Sequence, residues 1–512
     1  MFRRQTPTLF RRRTLVTPPV FPCRWARNVI LACAGALSLA ACTVGPDYLR
    51  PEAATETRYK ELAGWKRAVP RDGIDRGAWW SIYRDPELNR LLPQVEIDNQ
   101  TVAAALATYE LSQAVVRQSQ SSLLPGVNAI YDGVRAGEGK HLNAFGRTFA
   151  ATDFYPRGTV SWTIDVWGKI RRQIESNVAG AQVDAALLAN AKLSTQALLA
   201  VAYFNLRAED SLRSLLDRTV KIYQETETIT RNQYNGGTVS KADLITAQTQ
   251  VLNTQAAAIN TQVLRGQYEH AIAQLIGRPP ADLSIARGAL PHVPPAIPVG
   301  MPSTLLERRP DVAAAERAVQ EQNALIGVAV AAYYPTLTIS AAGGFQGANA
   351  FPFLAAYQIW SIGAAAADPL FDGGFRAAQV DATKAVYRQS VANYRQTVLT
   401  AFQQVEDALV AQRVFARELK VQEKARDEAA EAVKVYLNQY RAGTVAFTTV
   451  VVAEGILLNA EEAVLTTRQA LFVSSVNLIE ALGGGYDAES LAAITAPPLI
   501  EAVARSAPFP PP

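Results

Sequence analysis

The sequence predicts a mainly α chain built from a tandem-duplicated unit. Its long coiled helices form a helical barrel, and its four strands contribute to a membrane β-barrel. Three observations carry this: blocks repeated at a near-constant offset, two proline-free helical stretches (171–234 and 376–440), and four short alternating segments placed symmetrically in the two copies. The repeat is explicit. NQYNGGTVS (232–240) returns 206 positions later as NQYRAGTVA (438–446), and IAQLIGRP (272–279) returns at the same offset as LIEALGGG (478–485). SLLPGVNAI (122–130) matches AYYPTLTIS (332–340) at 210, and DVWGKIR (165–171) matches LFDGGFR (370–376) at 205. Spacing this even means one supersecondary unit written twice.

Taken in order, the first element is a leader. Residues 1–41 hold seven arginines and no acid, ending in NVILACAGALSLAA (28–41). That run is too short for a ~30 Å hydrocarbon layer, which needs roughly 20 apolar residues. A basic start, a short apolar run and small residues before a cut mark 1–41 as a secretory signal peptide. Leu39-Ala40-Ala41-Cys42 resembles the lipobox of bacterial lipoproteins, a resemblance that implies cleavage between Ala41 and Cys42. That resemblance implies a diacylglycerol and an N-acyl lipid on Cys42, with Thr43 suiting export to the outer membrane; the alternative is a buried cysteine in an ordinary signal peptide. Stable anchoring takes more than one acyl chain.

Removing the leader leaves 43 basic against 46 acidic residues, so no nucleic-acid partner is implied. Cys23, Cys33 and Cys42 all fall in the first 42 residues, which rules out a disulfide framework and a cysteine nucleophile in the body. His141, His270 and His292 lie far apart, a poor basis for a His/Cys metal site. No cofactor is expected beyond the Cys42 lipid, and no metal. Acids such as Asp165, Asp372 and Glu406 are scattered without a nucleophile–base pattern, so an enzyme is not expected.

The mature chain divides into an extended lipidated segment (42–80), a first repeat (81–277), a Pro-rich linker (278–302) with seven prolines, a second repeat (303–485) and a Pro-rich tail (486–512). Within each copy the order is helix, strand, strand, long helix, helix. Val380, Tyr387, Val391, Tyr394 and Val398 keep the rhythm of a helix packed on helices. Each long helix stops at a tyrosine-plus-glycine turn, Tyr234 with Gly237 and Tyr440 with Gly443, glycine being suited to the left-handed backbone that ends a helix. Return helices start near 241 and 447. Strands are expected at 126–134, 158–166, 336–342 and 357–365, where Val160, Trp162 and Ile164 alternate with Thr159, Ser161 and Thr163. One apolar and one polar face fit a transmembrane barrel; two soluble hairpins would carry the same pattern. Four strands cannot close a barrel, and open edges in lipid leave backbone groups unsatisfied at several kcal/mol each. Other copies must supply the rest of the wall.

Several blocks together carry a family resemblance. CTVGPDYLRPE (42–52), WWSIYRDPELNRLL (79–92), LLERRPDVAAAE (305–316, with Arg309, Pro310 and Asp311) and DPLFDGGFRAAQ (368–379) resemble the outer-membrane factor (TolC-like) family of tripartite efflux systems, in its NodT-like lipoprotein branch. The resemblance implies a homotrimer with a twelve-stranded outer-membrane barrel on a periplasmic tunnel of twelve helices. It also implies a periplasmic membrane-fusion adaptor and an inner-membrane pump, usually of the proton-driven resistance–nodulation–division (RND) class, as partners. The chain would pass drugs or other small molecules outward from the outer membrane of a Gram-negative bacterium. A lipid-anchored periplasmic coiled-coil structural protein, and the outer-membrane duct of a type I protein secretion system, are the alternatives.

At the periplasmic gate, Tyr234 and Tyr440 match the family's tyrosines, Arg441 adjoins the second, and Asp243 matches an aspartate. Thr449 and Val452 occupy the second-copy acid positions, and Glu454 follows two residues on. Val450, Val451 and Val452 either form a hydrophobic constriction that gates by dewetting or face a neighbouring helix.

Overall fold

The computed structural model describes residues 43–53, 59–62, 78–138, 149–297, 309–348, 357–484 and 494–495. The leader, Cys42 and nearly all of the 486–512 tail lie outside the described residues.

Local signals start the first helices. Asp85 accepts from the backbone N–H groups of Glu87 and Leu88, and Pro86 occupies the first turn of α1 (Pro86–Asp98). Asn99 caps α2 (Gln100–Ser121) in the same way. Then come β1 (Gly126–Glu138), β2 (Phe149–Ile164), α3 (Lys169–Asn235) and α4 (Lys241–Leu275). The second copy runs α5 (Pro310–Ala331), β3 (Thr336–Gln346), β4 (Tyr357–Ala367), α6 (Phe375–Arg441) and α7 (Phe447–Ala481). Helices α3 and α6 have 67 residues each, so each is about 100 Å long at 1.5 Å per residue.

The four strands form one antiparallel sheet in the order β1-β2-β3-β4. Strand β2 starts nine residues before the alternation at 158 suggests. Pro156 hides it: with no N–H it cannot complete a ladder, and the β2–β3 pairing stops at Arg157↔Gly344 and resumes only at the bridge Phe154↔Gly347. Directly paired residues share a face, so the register sorts the side chains. One face carries Val127, Tyr131, Val160, Trp162, Ile164, Leu337, Ile339, Trp360 and Ile362; the other is mostly polar, with Asn128, Asp132, Arg157, Thr159, Ser161, Thr338, Ser340 and Ser361 beside Ile130, Val134 and Ile359. Arg157 and Asp132 pair at 2.8 Å on the polar face.

The helices form a single curved layer on α3. Near the sheet the lateral order is α2, α3, α5, α6; beyond the middle it becomes α4, α3, α7, α6. Thus α2 hands over to α4, and α5 to α7, end to end. Both joints close on a carbonyl. Asn99 Nδ2 donates to Leu275 O at 2.7 Å, and Arg309 Nη1 donates to Ala481 O at 3.0 Å. Gly277 makes the first joint possible, because a Cβ there would collide with the Asp98 carbonyl. The main core surrounds these joints, with Trp79, Trp80, Leu88, Leu91, Tyr203, Phe204, Val398, Phe472 and Val476 at its centre.

Two extended segments lie on the rod. The described part of the linker buries Leu283, Ile285, Leu290 and Ile297, and charged side chains clamp its backbone. Arg265 donates to Ile285 O and Arg207 to Ala286 O, both at 2.6 Å, while Glu269 accepts from Ile285 N and Asp210 from Gly288 N. The N-terminal segment starts at the sheet–rod junction, where Val44 N–H donates to Trp167 O. Gly45 crosses α5 against Gly327, leaving no space for a Cβ. Farther along, Arg395 donates to Glu52 O, Glu406 accepts from the N–H groups of Lys60 and Glu61, and Arg413 pairs with Glu61.

Phe472 is 1% exposed, with Phe204 at 4.8 Å and Tyr83 at 6.4 Å between ring centres. Phe472→Ala is expected to cost ~3–5 kcal/mol, read as a lowered thermal midpoint in detergent, whereas Leu49→Ala, at a side chain 81% exposed, leaves the midpoint unchanged.

Candidate functional site: two open edges and the helix tip

Chain order puts the unfinished borders of both layers on matching sides. Helix α2 leads directly into the edge strand β1, and the edge strand β4 leads directly into α6. One border is therefore β1 with α2 and α4; the other is β4 with α6. Both helical borders carry apolar stripes turned away from their own protomer. On α4, Ile245, Leu252 and Ile259 are 52%, 63% and 60% exposed at seven-residue spacing, away from the buried Ala247, Val251 and Ala258 face. On α6, Val414 and Val421 are likewise seven apart and exposed. Heptad-spaced apolar residues of this kind make a coiled-coil seam. Unpaired strands beside them offer a row of backbone donors and acceptors to another strand.

Sheet and rod are tied by aromatic side chains and capped turns. Trp162 Nε1 donates to Leu123 O and Trp167 Nε1 to Pro335 O, both at 2.9 Å, and Trp167 stacks on Tyr334 with ring centres 4.7 Å apart. Asp165 accepts from the N–H groups of Ile170 and Arg171 and pairs with the Arg171 guanidinium. Asp372 does the same for Gly374, Arg376 and the Arg376 guanidinium. These acids, scattered in sequence, are helix caps.

The tip lies at the far end of α3 and α6. Gly237 and Gly443 both have φ of +75°, the left-handed conformation expected of them. Thr238 N–H bonds back to Gln233 O, and Thr444 N–H to Gln439 O, each at 2.9 Å, which satisfies the last carbonyls of both helices. Beyond the turns the copies diverge. Ser240 and Asp243 form a reciprocal capping box at the start of α4. Ala446 starts α7 without a side-chain cap, and Thr449 gives only its N–H, to Ala446 O. The Asp243 carboxylate is thus engaged with its own helix terminus.

The remaining expected tip residues are placed unequally. Tyr440 is 3% exposed, packs on Phe447, and has its hydroxyl 3.2 Å from that of Thr230; burial raises its hydroxyl titration. Its counterpart Tyr234 is 38% exposed. Arg441 lies on the surface. Val450 is fully buried beside Ala247, Tyr440 and Phe447, Val451 is packed against that cluster, and Val452 is 61% exposed. Glu454 turns inward, accepting from Thr226 Oγ1 at 2.8 Å and Gln250 Nε2 at 3.2 Å. Sequence reasoning missed Thr226, Thr230 and Gln250. The available signal was two threonines four apart on one face of α3. Among the described residues, no group of three His, Cys, Asp or Glu side chains is placed to hold a metal ion.

A sequence model of the family described as "Outer membrane efflux protein" matches residues 91–278 and 301–484. The toluene efflux pump outer membrane protein TtgC of Pseudomonas putida is 27% identical over 456 residues, covering 88% of this chain and 94% of that protein. Nodulation protein T of Rhizobium leguminosarum bv. trifolii is 27% identical over 459 residues, covering 88% and 96%. Among solved structures, the outer-membrane channel OprN superposes with a TM-score of 0.81 at 27% identity, covering 86% of this chain and 99% of its own.

The capping difference at the tip is measurable. Ser240→Ala is expected to cost about 1 kcal/mol of helix-start stability, speeding amide exchange at Asp243 roughly fivefold. Ala446→Ser combined with Thr449→Asp should slow exchange in the first turn of α7.

Proposed function

The chain belongs to the outer membrane efflux protein family, and from that premise we propose that it is the outer-membrane channel of a tripartite efflux pump, working as a homotrimer. The observation that carries the reading is the coincidence of open edges in both layers. Three copies of a four-stranded sheet give twelve strands, and the same rotation brings the α4 stripe of one copy against the α6 stripe of the next. A head-to-tail contact that closes makes a ring. The apolar sheet face then meets lipid and the polar face lines a water-filled lumen, while the rod extends through the periplasm as a tube.

The assembly passes small molecules outward and itself makes and breaks no bond. A periplasmic adaptor and an inner-membrane pump of the RND class would dock at the tip, as the names of relatives such as the toluene efflux pump protein support. Tyr234, Asp243, Tyr440, Arg441, Thr449, Val452 and Glu454 are the candidate gate. With Asp243 capping α4 and Thr449 and Val452 uncharged, this gate carries less exposed acid than an aspartate ring would.

Cys42 is the proposed lipid attachment point. Thr43 supports it by position: the Thr43 Cα lies 3.0 Å from where a Cβ on Gly168 would stand, just past the end of β2. An acyl chain on the preceding residue would start at the level where the sheet leaves the membrane.

Two measurements test these readings. Purified protein should run as a heat-resistant trimer in detergent gels and conduct ions across a planar bilayer; Ile259→Glu should abolish both while the monomer keeps its helical circular dichroism. A monomeric, non-conducting wild type would overturn the channel reading. Intact mass after membrane extraction should show the diacylglycerol and N-acyl additions on wild type and lose them in Cys42→Ala, which should still assemble.

A further inference from the structure

Glu454 is 2% exposed at the meeting of three helices. Thr226 of α3 and Gln250 of α4 both reach it on α7. Among the described residues, the other side-chain hydrogen bond between the two hairpins at this end is Thr230 to Tyr440, one turn nearer the tip. Hydrogen counting distinguishes the two states of the carboxyl. The Thr226 hydroxyl lies 2.8 Å from Glu454 Oε1 and 3.2 Å from Ile222 O, yet a hydroxyl has one hydrogen to give. A carboxylate would take the Thr226 hydrogen for itself, Ile222 O keeping only its backbone bond within α3. A protonated Glu454 allows every contact at once: its O–H donates to Thr226 Oγ1, Thr226 donates to Ile222 O, and Gln250 donates to the second carboxyl oxygen.

The surroundings favour the same state. Helix α3 presents Tyr223, whose hydroxyl titration is raised by burial, lowered by its hydrogen bond with Gln250, and raised further by Glu454, Glu461 and Glu462. Helix α4 offers Asp243, already bound to Ser240. On α6 stand Tyr440 and Lys434, the latter paired with Glu431 at the surface. On α7 itself the ionisable neighbours are Glu461 and Glu462, and Arg218 and Arg426 act on Glu461. Among the described residues no cation pairs with Glu454. Burial pushes its carboxyl up to about 7, with the two side-chain hydrogen bonds working in the opposite direction.

We propose that Glu454 is a proton-held positioning residue: with its proton it pins α7 to the α3/α4 hairpin, and without it the junction loosens and frees the tip. The effect on transport rests on the channel reading; the junction itself does not. The sign follows from the carboxyl's ordinary value of 4.5. The penalty on the ionised form grows as pH rises above 4.5 and is complete above about 7. The junction is tight in acid and loose in mild alkali.

Spin labels on Thr228→Cys and Asn459→Cys in the full chain report the distance between α3 and α7. Wild type is expected to give short, narrow distances at pH 5.5 and longer, broader ones at pH 8.5, whereas Glu454→Gln stays short at both. Thr226→Val, which keeps the side-chain shape, should read as released at both. In bilayers, the open fraction of wild type should rise by up to about tenfold per pH unit between 4.5 and 7, and that of Glu454→Gln should not. Identical distances in wild type and Glu454→Gln at both pH values overturn the proposal, whatever the conductance. Label separation without conductance in any variant upholds the junction and sinks the channel reading.

Discussion

The organising constraint is that, among the described residues, neither layer of this protomer is closed. A β-sheet edge in hydrocarbon leaves N–H and C=O groups unsatisfied at several kcal/mol apiece, and the exposed heptad stripe of Ile245, Leu252 and Ile259 leaves apolar surface in water. Both sit on the same two sides, because α2 runs directly into β1 and β4 directly into α6. Connectivity therefore lets a single rotation satisfy strands and helices together in the proposed ring. A chain with the same elements but a crossed connection would need two incompatible neighbours.

What was legible in the sequence follows from how local each signal is. The duplication, the proline-free rods and the glycine turns are written in contiguous residues, and the rods lie within two residues of where they were expected. The start of β2 was hidden because Pro156 breaks both the alternation and the ladder, so pattern and structure fail at one spot. The joints were invisible for another reason: Asn99 meets Leu275 across 176 positions and Arg309 meets Ala481 across 172, and no periodicity connects them. The inward turn of Glu454 was equally hidden, since its partners lie 228 and 204 positions away.

The two copies keep the same architecture with different chemistry. One joint uses a neutral amide and the other a guanidinium, which also engages Asp311 and Gln404. One return helix has a capping box and the other has none. One turn tyrosine is buried and the other exposed. Duplication thus preserved backbone geometry, fixed by glycines and carbonyl acceptors, while side chains at the tip separated into an anchored first hairpin and a second held through longer-range contacts.

The N-terminal segment has a consequence for placement. Its hydrogen bonds run from Trp167 at the foot of the sheet to Arg413, 38 residues into α6 and so about 57 Å down the rod. It works as a plumb line: with its upper end at a bilayer surface, its contacts mark off distance down the rod. Insertions in this ribbon would then move its lower contacts along the rod, leaving the wall and the depth set by the sheet unaltered.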